Sequence, residues 1–488
     1  MSDKKLKLRD IWGYVSGEGA TSITMGGMGN FALLFYTQVL GMSPELAGIA
    51  FFVSTIWDAV TDPLMGTISD RTSSRFGRRH PYMLVGGIAL CLSFLALWFV
   101  PESFQGEKML FWYLLVVNIM VKTAFTVFVV PHTALGFEIC KIDEDNARVQ
   151  GIRFGFNMAI NTLFGGLGWI IFFGNEVAAD GTIIDGTKIH DNYLTMGCVL
   201  APVALLLVIL CVFVTFKHAD KRVVEGEGET MGDHVKAFIH DLKDVYGDKM
   251  VWFVFGFLGI AQFSMIVVSQ VQMFTYIEYM HFSSYEKTFV HTGGMIGFMI
   301  GSLLLGSLVK RLDKKKTGYC AMVIGSGACL GLFAVFTGGI MAPESIPLFE
   351  IKAQAFHLST VVFGLLQMIW WGACGVLVPL AVSMIADLSS LKKLQTGEVT
   401  EGRYAAGFSF FLKGASAFGM LVAGYLLKGV GYVSGAESQS VETVDNLALM
   451  TFTIGPIFLF ISFLILRKYP VTHQMLADLR EQHREEEE

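Results

Sequence analysis

Asp58 and Asp62 stand four residues apart in WDAVTDPLMG, within an apolar run that begins near Leu46. On a helix, that spacing stacks both carboxylates on one face. Two acids on one face of a membrane helix are costly unless something binds there. One static partner does not easily neutralise both, so the pair is the first candidate for function. Pro63 follows directly and would free a backbone carbonyl for an ion or water. Three cations stand in comparably apolar settings: Lys122, Arg153 and Lys413. An ammonium midway along the apolar FFLKGASAFG needs a carboxylate or it loses its proton, and Asp58 and Asp62 are the best available partners for Lys413. Lys122 has three readings: a structural cation paired with one of the acids, a side chain that snorkels, or a participant in coupling.

The elements that position these residues are membrane helices. The chain has 488 residues, 53% hydrophobic and 16% charged, against about 25% charged in soluble chains. Windows of about 19 residues give twelve candidate spans, roughly 14–40, 45–68, 82–100, 109–136, 152–174, 193–216, 250–280, 288–309, 318–341, 355–386, 403–432 and 446–466. Of the 36 Lys and Arg, five fall in external loops (Lys108, Lys188, Lys287, Lys352, Lys428) and three within spans, if both termini are cytoplasmic. The other 28 then face the cytoplasm, and the reverse topology would place them on the wrong side. The short charged start and long Gly-rich first span do not read as a cleaved signal. The net charge of −6 implies no nucleic-acid partner. The seven cysteines show no metal or disulfide spacing and read as small packing residues.

In chain order, the first span carries Glu18, Thr21 and Ser22 in GEGATSITMGGMGN, which reads as a close-packing surface and a cavity-lining face on opposite sides. The fourth places Lys122 and Thr126 one turn apart, then Pro131 and His132, the latter a packed imidazole or a proton relay. Arg153 lies at a membrane edge, placed to pair with a carboxylate or reach a cavity, and Arg148 reads as a surface charge. Residues 217–249 form a linker between halves 1–216 and 250–467, with a short amphipathic helix near 231–246; a charged tail fills 468–488. LLGSLVKRLDKKKTG at 304–318 echoes LMGTISDRTSSRFGRR at an offset of 240, a half-chain repeat of the kind transporters use. The acids are not repeated, since Phe298 and Ser302 stand opposite them. Gly293, Gly297 and Gly301 have helix-packing spacing. Gln262, Gln270 and Gln272 are possible solute contacts, and Trp370 and Trp371 are either solute-stacking or filler residues.

WDAVTDPLMG, the DRTSSRFGRRHP loop with Asp70, Arg71, Arg75, Arg78 and Arg79, MIADLSS…TGEVTEGRYAA and Lys413 together resemble the glycoside–pentoside–hexuronide:cation symporters, the melibiose-carrier branch of the major facilitator superfamily. The resemblance runs from about residue 12 to 467. It implies an all-α integral membrane fold of twelve transmembrane helices in two six-helix bundles, with both termini cytoplasmic and alternating access around a central cavity. It implies that Asp58, Asp62, Thr126 and Lys413 form the site of a coupling Na⁺, Li⁺ or H⁺, consistent with the affinity of carboxylate and hydroxyl oxygens for hard cations. The basic loop becomes the cytoplasmic gating motif. Arg153 falls near the sugar site, to which Glu18 is added as a candidate. The two sugar-binding aspartates of melibiose carriers correspond to Ser22 and Val129, and a nearby tryptophan to Thr133, which points away from an α-galactoside. Lys122 replaces a glycine and is positioned to act as a built-in cation.

The resulting expectation is a secondary active transporter, monomeric and multi-pass in the cytoplasmic (inner) membrane. It would couple a sugar or glycoside to Na⁺ or H⁺ and need no other cofactor. WFVPESFQGEKMLFWYLL and VVPHTALGFE also resemble animal lysophospholipid symporters of the same branch, so a lipid-like solute is the alternative. An intramembrane aspartyl enzyme needs acids from two helices sharing a proton, whereas both acids here are on one. A non-transporting sensor is the remaining class.

Overall fold

The structure, a computed structural model, describes residues 6–72, 74–104, 106–140, 143–177, 183–219, 231–352, 354–396 and 401–470. The tail beyond 470, residues 220–230 of the expected linker and residues 397–400 of TGEVTEGRYAA lie outside them. The helices are α1 (Leu8–Leu34), α2 (Pro44–Arg71), α3 (His80–Trp98), α4 (Glu107–Ile139), α5 (Asp143–Ile160), α6 (Gly168–Phe172) and α7 (His190–Thr215). They continue with α8 (Met231–Gly247), α9 (Lys249–Glu278), α10 (Ser284–Leu312), α11 (Lys314–Leu332), α12 (Leu358–Thr396), α13 (Glu401–Gly429) and α14 (Val441–Arg467). Two short antiparallel hairpins join loops: β1 (Glu176–Val177) with β2 (Ile183–Ile184), and β3 (Pro347–Ile351) with β4 (Gln354–His357).

Ten helical stretches among the described residues are long and apolar enough to cross a membrane. The remaining long helices, α1 and α2, have 27 and 28 residues, ample length for a span, which needs about 20. Their hydropathy is lowered by Glu18 and the hydroxyls of α1 and by the four acids of α2. α2 starts with Pro44 in the first turn and runs unbroken through Pro63. Pro63 has no N–H to donate to the Ala59 carbonyl, and one turn further on the Thr67 hydroxyl donates to the Pro63 carbonyl at 3.1 Å.

The chain divides into two compact units, residues 1–236 with 433–437, and residues 237–432 with 438–488. In the first, α1 packs on α5 and α7, α2 on α4, and α3 on α4 and α7. In the second, α9 packs on α13 and α14, α10 on α12, and α11 on α12 and α14. Each pairing in one unit has its counterpart in the other, so the half-chain echo in sequence is an echo of packing as well. The C-terminal part of α8, within the segment read as a linker, belongs to the second unit. Val245 is buried, Tyr246 donates to the Gly407 carbonyl at 3.2 Å, and Tyr404 donates to Asp248 at 2.7 Å.

α10 and α12 approach until only glycine fits. A Cβ on Gly297 would lie 2.1 Å from the Met368 carbonyl oxygen, and one on Gly301 would lie 1.9 Å from that of Gly372. Gly375 faces the Phe298 carbonyl in the same way, at 2.1 Å. Trp370 is fully buried against Gly325 and Gly455, a packing residue and not a solute platform.

Candidate functional site

The two acids meet α4 at a single hydroxyl. Thr126 Oγ1 lies 2.8 Å from Asp62 Oδ1 and 3.0 Å from Asp58 Oδ1. Asp58 and Thr126 are buried and Asp62 is half-buried. A hydroxyl carries one hydrogen and donates to one oxygen at a time. The two carboxyls therefore share that one hydrogen, and as acids on one face they repel each other when both are ionised. One turn away, Trp57 Nε1 donates to Thr123 Oγ1 at 2.9 Å, and Thr123 donates to the Ile119 carbonyl at 2.7 Å. Thr61 returns its hydroxyl to the Trp57 carbonyl at 3.0 Å. These bonds fix the register of α2 against α4 at the height of the acids.

A second polar cluster joins α1 to α5. Glu18 Oε2 accepts from Arg153 Nε at 2.5 Å, and Glu18 Oε1 accepts from Asn157 Nδ2 at 3.2 Å. Asn157 Nδ2 also reaches Ser22 Oγ at 2.7 Å, while Ser22 donates to the Glu18 carbonyl at 2.7 Å. Asn161 continues the row, donating to the Asn157 carbonyl at 2.9 Å. Glu18, Ser22 and Gly26 thus face Arg153, Asn157 and Asn161, each set at i, i+4, i+8. At Gly26 any Cβ would stand 3.2 Å from Asn161 Oδ1. Asn161 opens a π-helical turn to Gly166, a local irregularity frequent at functional sites. The row is half-buried, with the Glu18 and Arg153 side chains 15% and 22% exposed, so it is sealed neither from water nor from a solute.

Sequence reasoning placed Glu18, Ser22 and Arg153 here but missed Asn157 and Asn161. Their signal was the four-residue polar period that starts at Arg153. Val129 and Thr133 continue the α4 stripe of Lys122 and Thr126, are half-buried, and are not part of the hydrogen-bonded cluster. Lys122 Nζ lies 5.9 Å from the Phe125 ring. His132 is fully buried, stacked on Tyr14 at 4.4 Å, with Nε2 2.9 Å from the Tyr14 carbonyl, which is the packed imidazole and ties α4 to α1. Lys413 lies half-buried on α13 in the second unit.

The basic loop gathers on one acid that the sequence reading did not single out. Glu138, at the end of α4, accepts from Arg78 at 2.5 Å and Arg79 Nε at 2.6 Å, and Arg79 also pairs with Asp70 at 2.9 Å. Arg71 is half-buried and Arg75 is exposed, with its guanidinium 4.8 Å from the Phe76 ring. The second unit repeats the device with Lys314, which reaches Asp387 at 2.6 Å. In both units a basic residue after the second long helix pairs with an acid in the C-terminal part of the fourth.

Two repeated helical units, with polar clusters set between apolar helices in the first, define a membrane transporter of the major facilitator fold. The sequence pattern of the MFS/sugar transport proteins matches residues 13–473, and the chain belongs to that family. It is 26% identical over 467 residues to the uncharacterized symporter YnaJ of Bacillus subtilis, covering 95% of this chain and 91% of that one. It is 25% identical over 470 residues to the putative glycoside/cation symporter YagG of Escherichia coli, covering 96% and 93%. A local match, 34% identical over 141 residues, joins it to the sodium-dependent lysophosphatidylcholine symporter 1 of Xenopus tropicalis, covering 29% of this chain and 26% of that one. Among solved structures it is similar in fold to a bacterial homologue of the human lysosomal transporter Spinster, with a TM-score of 0.67 and 11% identity over 95% of this chain and 98% of that one.

Proposed function

We propose that the protein moves a sugar or glycoside across the cytoplasmic membrane together with Na⁺ or H⁺, by alternating access. The observation that carries this reading is the Thr126 hydroxyl held between two carboxyls, which gathers three hard oxygen donors at one point between α2 and α4. Asp58, Asp62 and Thr126 supply hard oxygen donors for Na⁺, and the same acids take a proton. Lys122 modulates this pair from one turn along α4, and Lys413 takes part in coupling. The solute binds at Glu18, Ser22, Arg153 and Asn157, where carboxylate, guanidinium and amide offer both acceptors and donors to hydroxyl groups. The likeness to a putative glycoside/cation symporter along nearly the whole chain supports a sugar-like solute. The local likeness to a lysophosphatidylcholine symporter favours a second reading, an amphipathic solute.

Proteoliposomes with an imposed Na⁺ or pH gradient, offered labelled glycosides and lysophosphatidylcholine, separate these readings. Gradient-driven accumulation of a glycoside supports the first and accumulation of the lysolipid alone supports the second. Uptake indifferent to both gradients contradicts coupling.

A further inference from the structure

An apolar groove of about 620 Å³ runs along the second unit between α10, α11 and α12. It is floored by Gly297, Gly301 and Gly372, where the two backbones meet and no side chain fills the space. Its walls include Ile300, Leu304, Ile324, Leu365 and Ile369, all exposed in a part of the chain read as spanning the membrane. The groove therefore opens sideways into hydrocarbon. From Gly297 to Leu312 it follows α10 for about 22 Å, at about 1.5 Å per residue. That exceeds one leaflet, half of a hydrocarbon core of about 30 Å.

The basic end of the groove has a distinct chemistry. Arg311 follows Leu304 by seven residues and Leu308 by three, so it lies on the groove stripe of α10 in its last turn. Lys316 precedes Cys320 by four and does the same on α11. Both are exposed, as is Lys310, and among the described residues none of the three pairs with an acid. Their neighbours are committed: Lys314 to Asp387 at 2.6 Å and Lys315 to the Tyr469 carbonyl at 2.9 Å. Uncommitted positive charge thus stands where an apolar slot reaches the membrane surface, on the side that the basic loops assign to the cytoplasm.

We propose that this groove binds an anionic phospholipid, with an acyl chain along the glycine floor and the headgroup phosphate on Arg311 and Lys316. Basic residues at the cytoplasmic ends of slots between membrane helices recognise such headgroups, and the surface potential adds to their attraction. The site lies apart from the polar clusters of the first unit and does not depend on the identity of the transported solute.

The test uses full-length purified protein, stripped of lipid in detergent, with native mass spectrometry during titration by phosphatidylglycerol and by phosphatidylcholine of equal chain length. Phosphatidylglycerol should bind about tenfold more tightly. The double variant Arg311→Ala/Lys316→Ala, changed at two exposed positions, should lose that preference, whereas Arg148→Ala should keep it. Cys320→Trp fills the groove and should weaken both lipids, with Ile324→Trp serving if the first does not fold. Equal binding of the two lipids by the native protein overturns the proposal, as does an undiminished preference in the double variant.

Discussion

Glu18 of α1 and Arg153 of α5 meet at 2.5 Å, and Asn157 joins them from the next turn. A solute that enters this row exchanges hydrogen bonds with a charged pair, and such bonds contribute about 1.5–3 kcal/mol each. Glu18→Gln should therefore raise the KM for the solute by tenfold or more, with gradient dependence retained. Asn157→Ala should raise it less. An unchanged KM in Glu18→Gln would place the solute elsewhere.

The hydroxyl of Thr126 is separable from its bulk. Thr126→Val keeps the shape and removes the hydroxyl that bridges Asp58 and Asp62. The concentration of Na⁺ or H⁺ that half-activates transport should rise by about tenfold, the loss of one charge-assisted hydrogen bond. Thr126→Ser should restore most of it. Matching ion dependence in the two variants would assign Thr126 to packing.

A pH effect on stability is expected at the start of α1, outside the apolar span. Asp10 is buried, which by itself raises its pKa, but hydrogen bonds and charge from Lys217 at 2.5 Å and His218 at 3.3 Å outweigh this and hold it below 3.8. Its folded pKa lies below the unfolded one, so the stabilisation is complete above about pH 4 and is lost as pH falls through the folded value. Thermal unfolding between pH 3 and 6 should show the native protein losing stability at the acid end. Asp10→Asn should be less stable at pH 6 and flatter across the range.

Gly301 is limited by backbone and not by a flexible neighbour. Gly301→Ala places a methyl 1.9 Å from the Gly372 carbonyl oxygen, so α10 and α12 must separate. A loss of about 1–3 kcal/mol is expected, read as a lowered unfolding temperature. Gly306→Ala, with open space around its Cβ, serves as the control and should be near neutral or stabilising.

Much of this was legible in sequence because membrane chemistry restricts what a chain can do. Charges are rare at depth, so Asp58, Asp62, Lys122, Arg153 and Lys413 drew attention without any structure. The glycines of α10 announced a close crossing by their spacing, and the basic loop announced its repeat. Polar groups that match neutral neighbours were harder to read. Asn157 and Asn161 carry no charge, and only the face they share with Arg153 gives them meaning. Glu138 drew no attention in the sequence, because its partners Arg78 and Arg79 stand about sixty residues away in the chain. That α2 continues as a helix through Pro63 was also hidden, because packing against α4 decides it and not the local sequence.

The central claim is that Asp58, Asp62 and Thr126 bind the coupling cation. It is tested most directly by measuring solute accumulation against solute exchange in the same proteoliposomes, native beside Asp62→Cys. Loss of gradient-driven accumulation in Asp62→Cys, with inserted protein and solute exchange still present, is the predicted result. Full accumulation at the native ion dependence would contradict it.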